Sequence, residues 1–168
     1  KEKIAVIAIT KNGIGIAGVI KKNIINAEIY VPQKFYNEDS TIIWFEETTQ
    51  KKISELFKSY DALICIFFLV AVIRLISKLL KDKKTDPAIL FIDDKATFVI
   101  STLSGHLGGA NVLSRYIAAF LNSLPVITTA ADVNKTISVD LIGNELGWVI
   151  ENYENVTKVS AHMVNEEK

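Results

Sequence analysis

Five short apolar runs, rich in β-branched and aromatic residues, most strongly constrain what this chain can fold into. Nearly continuous apolar runs of this length are typical of parallel strands that are buried on both faces of a sheet. They span residues 4–10, 62–68, 88–93, 98–102 and 125–129. Helical patterns separate most of them, so we predict an α/β fold, a doubly wound and mostly parallel sheet with helices on both faces.

The predicted helices span residues 13–22, 49–60, 69–82 and 109–122. The last has apolar residues at i, i+3 and i+4, which form one stripe. Residues 94–97 are too few for a crossover connection, so they predict one antiparallel hairpin, with Asp93 and Asp94 in its turn. Residues 31–47 contain a cluster of Pro, Asn and Asp and are predicted to be irregular.

We expect one α/β domain over residues 1–150, which carries a glycine-containing loop described below. Within it, residues 138–147 predict a short helix and residues 148–150 a strand. Residues 151–168 are expected to form a C-terminal helix or the start of a further domain.

Composition excludes several classes of protein. Lys plus Arg and Asp plus Glu are 19 each, and this balance argues against a dedicated nucleic-acid-binding protein. The single cysteine, Cys65, cannot form an internal disulfide and is expected to pack in the core, and with two histidines a metal cage is not expected.

A membrane span is the alternative reading of one segment. Residues 62–80 are almost long enough to cross a bilayer, but Arg74 and Lys78 interrupt them, so we expect a buried strand followed by a helix. No signal peptide is visible at the start, so a cytoplasmic location is expected.

The sequence Ser-Gly-His-Leu-Gly-Gly-Ala-Asn at 104–111 is the most unusual in the chain. Gly105, Gly108 and Gly109 lie where a predicted strand ends and a helix begins, so backbone N–H groups there suit a carboxylate or a developing oxyanion. Thr128, Thr129 and Asp132 follow the next predicted strand. Ligands of doubly wound folds gather at the carboxyl ends of strands, where we expect both segments. Alternatively, the loop is an ordinary turn, and at least one of the two threonines belongs to the strand.

Arginine is rare in this chain. Arg74 and Arg115 are the two arginines, against 17 lysines. Because arginine forms bidentate contacts with carboxylates, both are candidate ligand-binding residues, with a surface ion pair as the alternative for Arg115.

Residues 104–111 and 125–132 together resemble the cobalamin biosynthesis protein G (CbiG) family, and Arg74 and residues 81–88 fit the same pattern. The resemblance is clearest over residues 62–132. It implies a cobalt-precorrin-5A hydrolase of anaerobic vitamin B12 synthesis, which opens a δ-lactone on a tetrapyrrole and releases acetaldehyde. The substrate carries the cobalt, so no further cofactor or metal is expected. The family's Gly-containing turn before Arg74 is absent, since residues 67–73 here contain no glycine.

On this resemblance, His106 is the candidate general base and Ser104 a candidate nucleophile. Gly108 and Gly109 would stabilise the oxyanion, and Gly105 would contact the substrate. The remaining candidate substrate-binding residues are Asn111, Thr128, Thr129, Asp132, Arg74 and Arg115.

Two other functions stay open: a non-catalytic corrinoid-binding or assembly module, and a generic nucleotide-binding domain. The glycines do not match G-x-G-x-x-G, and no Walker lysine follows them, which argues against the second. No nucleic-acid or membrane partner is expected. A homo-oligomer and contacts with other cobalamin-pathway enzymes are both open.

Overall fold

The structure is a computed structural model that describes residues 2–82, 84–105, 108–136, 138–142, 148, 150–151 and 153–165. The chain divides into two compact units, residues 1–126 and 127–168. This division falls earlier than the expected boundary at residue 150.

In the described part of the first unit, seven strands form one sheet. They are β1 (Ile4–Ala8), β2 (Ala27–Pro32), β3 (Ile42–Phe45), β4 (Ala62–Ile66), β5 (Ala88–Ile92), β6 (Phe98–Leu103) and β7 (Leu124–Val126). Their order is β3-β2-β1-β4-β5-β6-β7. All neighbours pair in parallel except β5 and β6, so the predicted hairpin is confirmed.

Four helices connect these strands. They are α1 (Lys11–Asn23), α2 (Thr49–Ser59), α3 (Leu69–Ile76) and α4 (Ala110–Leu121). Helices α1 and α4 pack on one face of the sheet through buried residues such as Ile20 and Ile117. Helices α2 and α3 pack on the other face through residues such as Leu56 and Val72. The doubly wound α/β fold is thus confirmed.

The central strands are apolar throughout because both of their faces are covered. In β4, Ile64 faces the α1 and α4 side while Leu63 and Cys65 face the α2 and α3 side, and all three are fully buried. The segment 62–80 is therefore a core strand followed by the short helix α3. No helix in the described part of the chain is long and apolar enough to cross a membrane.

Several sequence predictions were wrong in detail. Residues 31–47 were expected to be irregular, but they include the end of β2 and all of β3. Strand β3 has only four residues and follows a loop rich in polar residues, so its apolar pattern was too short to predict a strand. Helix α3 ends at Ile76 and does not reach residue 82, because the polar residues that follow form turns. Strand β7 ends at Val126, so neither Thr128 nor Thr129 is a strand residue.

The second unit contains α5 (Ala130–Asn134), a 3-10 turn (Val139–Leu141) and α6 (Tyr153–Val164). Helix α6 lies within residues 151–168, for which a C-terminal helix or the start of a further domain was expected. In place of the predicted helix over 138–147 only the 3-10 turn is seen, and residues 143–147 lie outside the described residues. Trp148 and Ile150 are not in a strand.

Candidate functional site

The glycine loop, residues 104–109, lies at the amino end of the sheet, which we define as the end where β1 to β5 begin. Strand β6 runs antiparallel to β5, so the loop that follows β6 is carried to the start of β5. The Ser104 hydroxyl donates a hydrogen bond of 2.9 Å to the carbonyl of Asp86, just before β5. The loop does follow the carboxyl end of its own strand. It lies, however, at the opposite end of the sheet from the carboxyl ends of β1, β4 and β5.

Gly105 and Gly108 are required by close packing inside the loop. A Cβ atom on Gly105 would lie 2.7 Å from Oδ1 of Asn111, and one on Gly108 would lie 2.4 Å from Cβ of Ser104. Both distances are too short for any side chain without movement of the neighbour. These two glycines therefore allow the loop to fold tightly on itself.

Gly109 is a glycine for a different reason. It immediately precedes α4 with φ of +75°, in the left-handed region that only glycine adopts without strain, and nothing lies within 4 Å of a Cβ placed there. Ser104 also has a positive φ, of +56°. In the described part of the loop two residues, Ser104 and Gly109, are thus left-handed, and there is open space beside Gly109.

Asn111 joins the loop to the sheet and to α4. Its side chain is 3% exposed, and its Oδ1 accepts a 2.6 Å hydrogen bond from the hydroxyl of Ser101 on β6. Its backbone N–H donates to the carbonyl of Gly105 at 3.0 Å. Asn111 is therefore a positioning residue, because its buried amide sets the loop conformation.

The N–H groups at the start of α4 are partly used within the loop. Ala110 donates to the carbonyl of Ser104 at 3.2 Å, and Asn111 donates to Gly105. Within the described residues, the N–H groups of Gly108 and Gly109 have no hydrogen-bond acceptor. These two groups are the ones suited to hold an anion or an oxyanion.

His106 and Ser104 are the two candidate catalytic residues, and the structure describes only Ser104. His106 and its neighbour Leu107 lie outside the described residues. Ser104 uses its hydroxyl proton in the hydrogen bond to Asp86, which makes it an anchor of the loop.

The two arginines are on separate helices. Arg74 is exposed in the last turn of α3, and Arg115 is exposed on α4, one turn beyond Asn111. In the second unit, Thr128 is exposed and Thr129 precedes α5. The Thr129 hydroxyl donates a 2.6 Å hydrogen bond to Oδ2 of Asp132, so these two residues form one local pair.

The carboxyl end of the sheet offers a second, apolar cavity of about 250 Å³ between β1, β4 and β5. Phe67, Phe68 and Phe91 line it. Its carboxylate, Asp94, accepts hydrogen bonds from the side chains of Thr10 and Asn12, and Asp93 accepts one from the N–H of Phe98. Both aspartates therefore stabilise the hairpin and its neighbours, as predicted.

The sequence did not predict a further cavity, which lies at the amino end of the sheet. It is lined by residues of α2, of the segment after α3 and of the segment before β5. No local pattern could have revealed it, because Lys58 at the end of α2 and Lys78 after α3 are 20 residues apart in the sequence. Asp86, which borders it, is 9% exposed and accepts a 2.9 Å hydrogen bond from the N–H of Lys81. The resemblance to a family drew attention to residues 81–88 but assigned Asp86 no role.

Burial raises the pKa of the Cys65 thiol to about 12, so this thiol is an unreactive core residue, as expected. In the described part of the chain, no three His, Cys, Asp or Glu side chains are grouped so as to hold a metal ion.

Comparison with known proteins identifies the family. The model for the cobalamin synthesis G N-terminal region matches residues 51–132, and the model for the cobalamin biosynthesis central region matches residues 137–168. The cobalt-precorrin-5A hydrolase of Priestia megaterium is 52% identical over 167 residues, which are 98% of this chain and 45% of that protein. The Salmonella typhimurium protein of the same name is 33% identical over 97% of this chain and 46% of its own length.

A solved structure gives the same result. The cobalamin biosynthesis protein G homolog from Sulfolobus solfataricus matches with a TM-score of 0.57 and 29% identity, over 98% of this chain and 46% of that one. The chain thus spans a little under half the length of the relatives it matches. Two consecutive family regions, nearly full coverage by named relatives and a shared fold agree, and the chain belongs to the cobalamin biosynthesis protein G family.

Proposed function

We propose that this chain catalyses the hydrolysis of cobalt-precorrin-5A, with release of acetaldehyde. The observation that carries this proposal is the 52% identity to the Priestia megaterium cobalt-precorrin-5A hydrolase over 167 residues. The aligned 167 residues make up 98% of the chain and therefore span the glycine loop, the sheet and both units. That the substrate is a δ-lactone and the released fragment is acetaldehyde is implied by the sequence resemblance to the CbiG family.

The proposed reaction has two steps. Water adds to the carbonyl carbon of the δ-lactone, the ester C–O bond breaks, and a carboxylate and a free hydroxyl group result. The hydroxyl then loses its proton as the C–C bond to the macrocycle breaks. The electron pair of that bond passes into the conjugated ring, and the two-carbon fragment leaves as acetaldehyde. No external oxidant or reductant is needed, and the cobalt stays with the substrate.

The glycine loop supports the first step. Gly108 and Gly109 directly precede α4, whose amino-terminal end carries a partial positive charge, and their two N–H groups would stabilise the negative oxygen of a tetrahedral intermediate there. In the proposal His106, which lies between Gly105 and Gly108 in sequence, removes the proton of the attacking water. An imidazole suits this role because it titrates near neutral pH.

The buried side of the loop supports the same assignment. The Ser101–Asn111 hydrogen bond lies on the buried side of the loop, and the Ser104 hydroxyl is hydrogen-bonded to Asp86. These two bonds fix the residues on either side of the N–H donors of Gly108 and Gly109. A fixed arrangement of donors stabilises a transition state without first having to reorganise. Removal of one oxyanion donor costs about 10²–10³ in rate in hydrolases of known mechanism, and general acid–base catalysis contributes about 10²–10⁴.

The test is acetaldehyde release from cobalt-precorrin-5A, followed by NADH oxidation with alcohol dehydrogenase. The variants are His106→Ala and, as a matched control, His162→Gln, which changes the other histidine, on α6. We expect release by the wild type, a loss of about 10²-fold or more with His106→Ala, and no change with His162→Gln. Corrinoid binding without release by the wild type would refute the hydrolase and favour a binding module. Normal release by a folded His106→Ala variant would refute the role of His106.

A further inference from the structure

A cavity of about 530 Å³ lies at the amino end of the sheet, on the face covered by α2 and α3. The end of α2 contributes Phe57 and Lys58, and the segment after α3 contributes Lys78, Leu79 and Lys81. Its walls therefore combine apolar groups with three ammonium groups.

In the part of the chain that the structure describes, no ion pair is seen for these three lysines, whereas Lys52 forms ion pairs with Glu47 and Glu55. Lys58, Lys78 and Lys81 are all exposed. In the described residues no ion pair engages their positive charges, which are therefore available to an anionic ligand.

The carboxylate that borders the cavity is already occupied. Asp86 is buried, and its Oδ2 accepts a 2.9 Å hydrogen bond from the N–H of Lys81. This bond places the backbone of Lys81 against the segment before β5. Asp86 therefore shapes the cavity wall, which holds one carboxylate against three ammonium groups.

The cavity adjoins the glycine loop. The carbonyl of Asp86 accepts the hydrogen bond from Ser104, the first residue of that loop. One residue thus borders the cavity on one side and the loop on the other. The cavity and the two glycines lie at the same end of the sheet, the cavity on the face of α2 and α3, and Gly108 and Gly109 just before α4, which packs on the other face.

We propose that this cavity binds the carboxylate-bearing rim of a flat tetrapyrrole, with its ring against Phe57 and Leu79 and its carboxylates at Lys58, Lys78 and Lys81. The proposal rests on the proposed function for the identity of the macrocycle, and it adds the subsite that holds it. An apolar floor with a cationic rim matches a ligand that is apolar on its faces and anionic at its edge. A compact anion without a ring would contact the three lysines but not Phe57 and Leu79.

The test is equilibrium binding of metal-free uroporphyrin, whose rim carries acetate and propionate groups, followed by porphyrin fluorescence. The variant combines Lys58→Gln, Lys78→Gln and Lys81→Gln. The control combines Lys11→Gln, Lys22→Gln and Lys95→Gln, which removes the same charge from exposed lysines outside the cavity. Thermal unfolding of each protein verifies that it folds, and arginine at the three cavity positions tests rescue.

At low salt we expect the cavity variant to bind uroporphyrin at least about tenfold more weakly than the wild type. The arginine variant should recover this affinity, and the control should change it little. Coproporphyrin, in which methyl groups replace the acetates, should bind less tightly than uroporphyrin. Equal weakening in both glutamine variants would overturn the proposal, because it would show a general charge effect. Displacement of uroporphyrin by tripolyphosphate at equal concentration would also overturn it, because it would show a site for any polyanion.

The outcomes separate this proposal from the hydrolase. If wild-type uroporphyrin binding depends on the three lysines but no acetaldehyde is released from cobalt-precorrin-5A, the subsite stands and the activity fails. If acetaldehyde is released and the cavity variant has an unchanged KM, the activity stands and the subsite is wrong.

Discussion

A carbon atom added to Gly105 would lie 2.7 Å from Oδ1 of Asn111, the buried amide that accepts a hydrogen bond from Ser101. The loop residue and the helix residue are thus in contact with no room for a side chain between them. This contact holds the glycine loop in place.

Gly105→Ala should destabilise the protein. The new methyl group must displace the Asn111 amide from its hydrogen bond, and overpacking of this kind costs about 1–3 kcal/mol. Urea unfolding measures the change. Gly15→Ala is the matched control, because nothing lies within 4 Å of a Cβ at that position in α1. It should stabilise the protein by about 0.5–1 kcal/mol through helix propensity. The same sign for both variants would contradict the packing argument.

Ser101 and Asn111 should show energetic coupling. Each single change to alanine leaves the partner without its hydrogen bond, so a double-mutant cycle should give a coupling of about 0.5–1.5 kcal/mol. The measurement is the free energy of unfolding of both single variants and the double variant. Ser101→Ala with Ser123→Ala is the control, since Ser123 bonds to the carbonyl of Ala96 and the two should be additive. Additivity of the first pair would show that the hydrogen bond contributes nothing.

Lys52 on α2 should contribute more to stability than its exposed neighbour Lys51. Lys52 is 8% exposed, its Nζ lies 2.6 Å from Glu47 and 2.9 Å from Glu55, and it is 5.5 Å from the ring centre of Tyr30. Lys52→Ala should cost about 1–3 kcal/mol, because it removes a partly buried, twice-paired cation.

Lys51→Ala on the same helix should stay within about 0.5 kcal/mol of the wild type. Thermal or urea unfolding measures both variants. Similar losses for the two lysines would mean that the ion pairs of Lys52 are not stabilising.

Stability should fall at alkaline pH, and Tyr60 should contribute to this fall. Burial, followed by hydrogen bonds with Glu28 and Tyr30, raises the pKa of the Tyr60 hydroxyl above its usual 10, and burial raises that of Tyr30. Above pH 10 the folded state therefore holds a proton that the unfolded state loses. The contribution is complete below the unfolded pKa and decreases as the pH rises towards the folded one.

Tyr60→Phe should make the free energy of unfolding less steeply dependent on pH above 10. Urea unfolding between pH 8 and about 11 measures this slope, taking 10 as the ordinary tyrosine pKa. The control is Tyr36→Phe, since Tyr36 is 59% exposed and contacts Trp44 edge-to-face. An unchanged slope in the Tyr60→Phe variant would show that folding does not raise the pKa of the Tyr60 hydroxyl.

The individual strands β1, β4 and β5 were predictable because their pattern is local. Each is an apolar run without alternation, and that pattern already requires cover on both faces. The antiparallel pair β5 and β6 was predictable for a similar reason, since residues 94–97 leave no length for a crossover. Strand β3 was missed because four residues, of which Ile43 is exposed and Trp44 is half-buried, carry little of this signal.

The loop residues of the candidate site were also predictable, but not their surroundings. Gly105, Gly108 and Gly109 attract attention in any sequence. That two of them are needed for packing on Asn111 and Ser104 depends on contacts which no spacing describes.

Sequence alone determined the class of fold, the family and the glycine loop, because buried strands and tight turns depend on residues close together in the chain. Tertiary structure decided at which end of the sheet that loop lies, since the reversal of β6 relative to β5 carries it to the start of β5. It also decided that Lys58, Lys78 and Lys81 share one cavity beside Asp86. Strand order brings α2, α3 and β5 together, and that order arises from long-range pairing in the sheet and not from any local pattern.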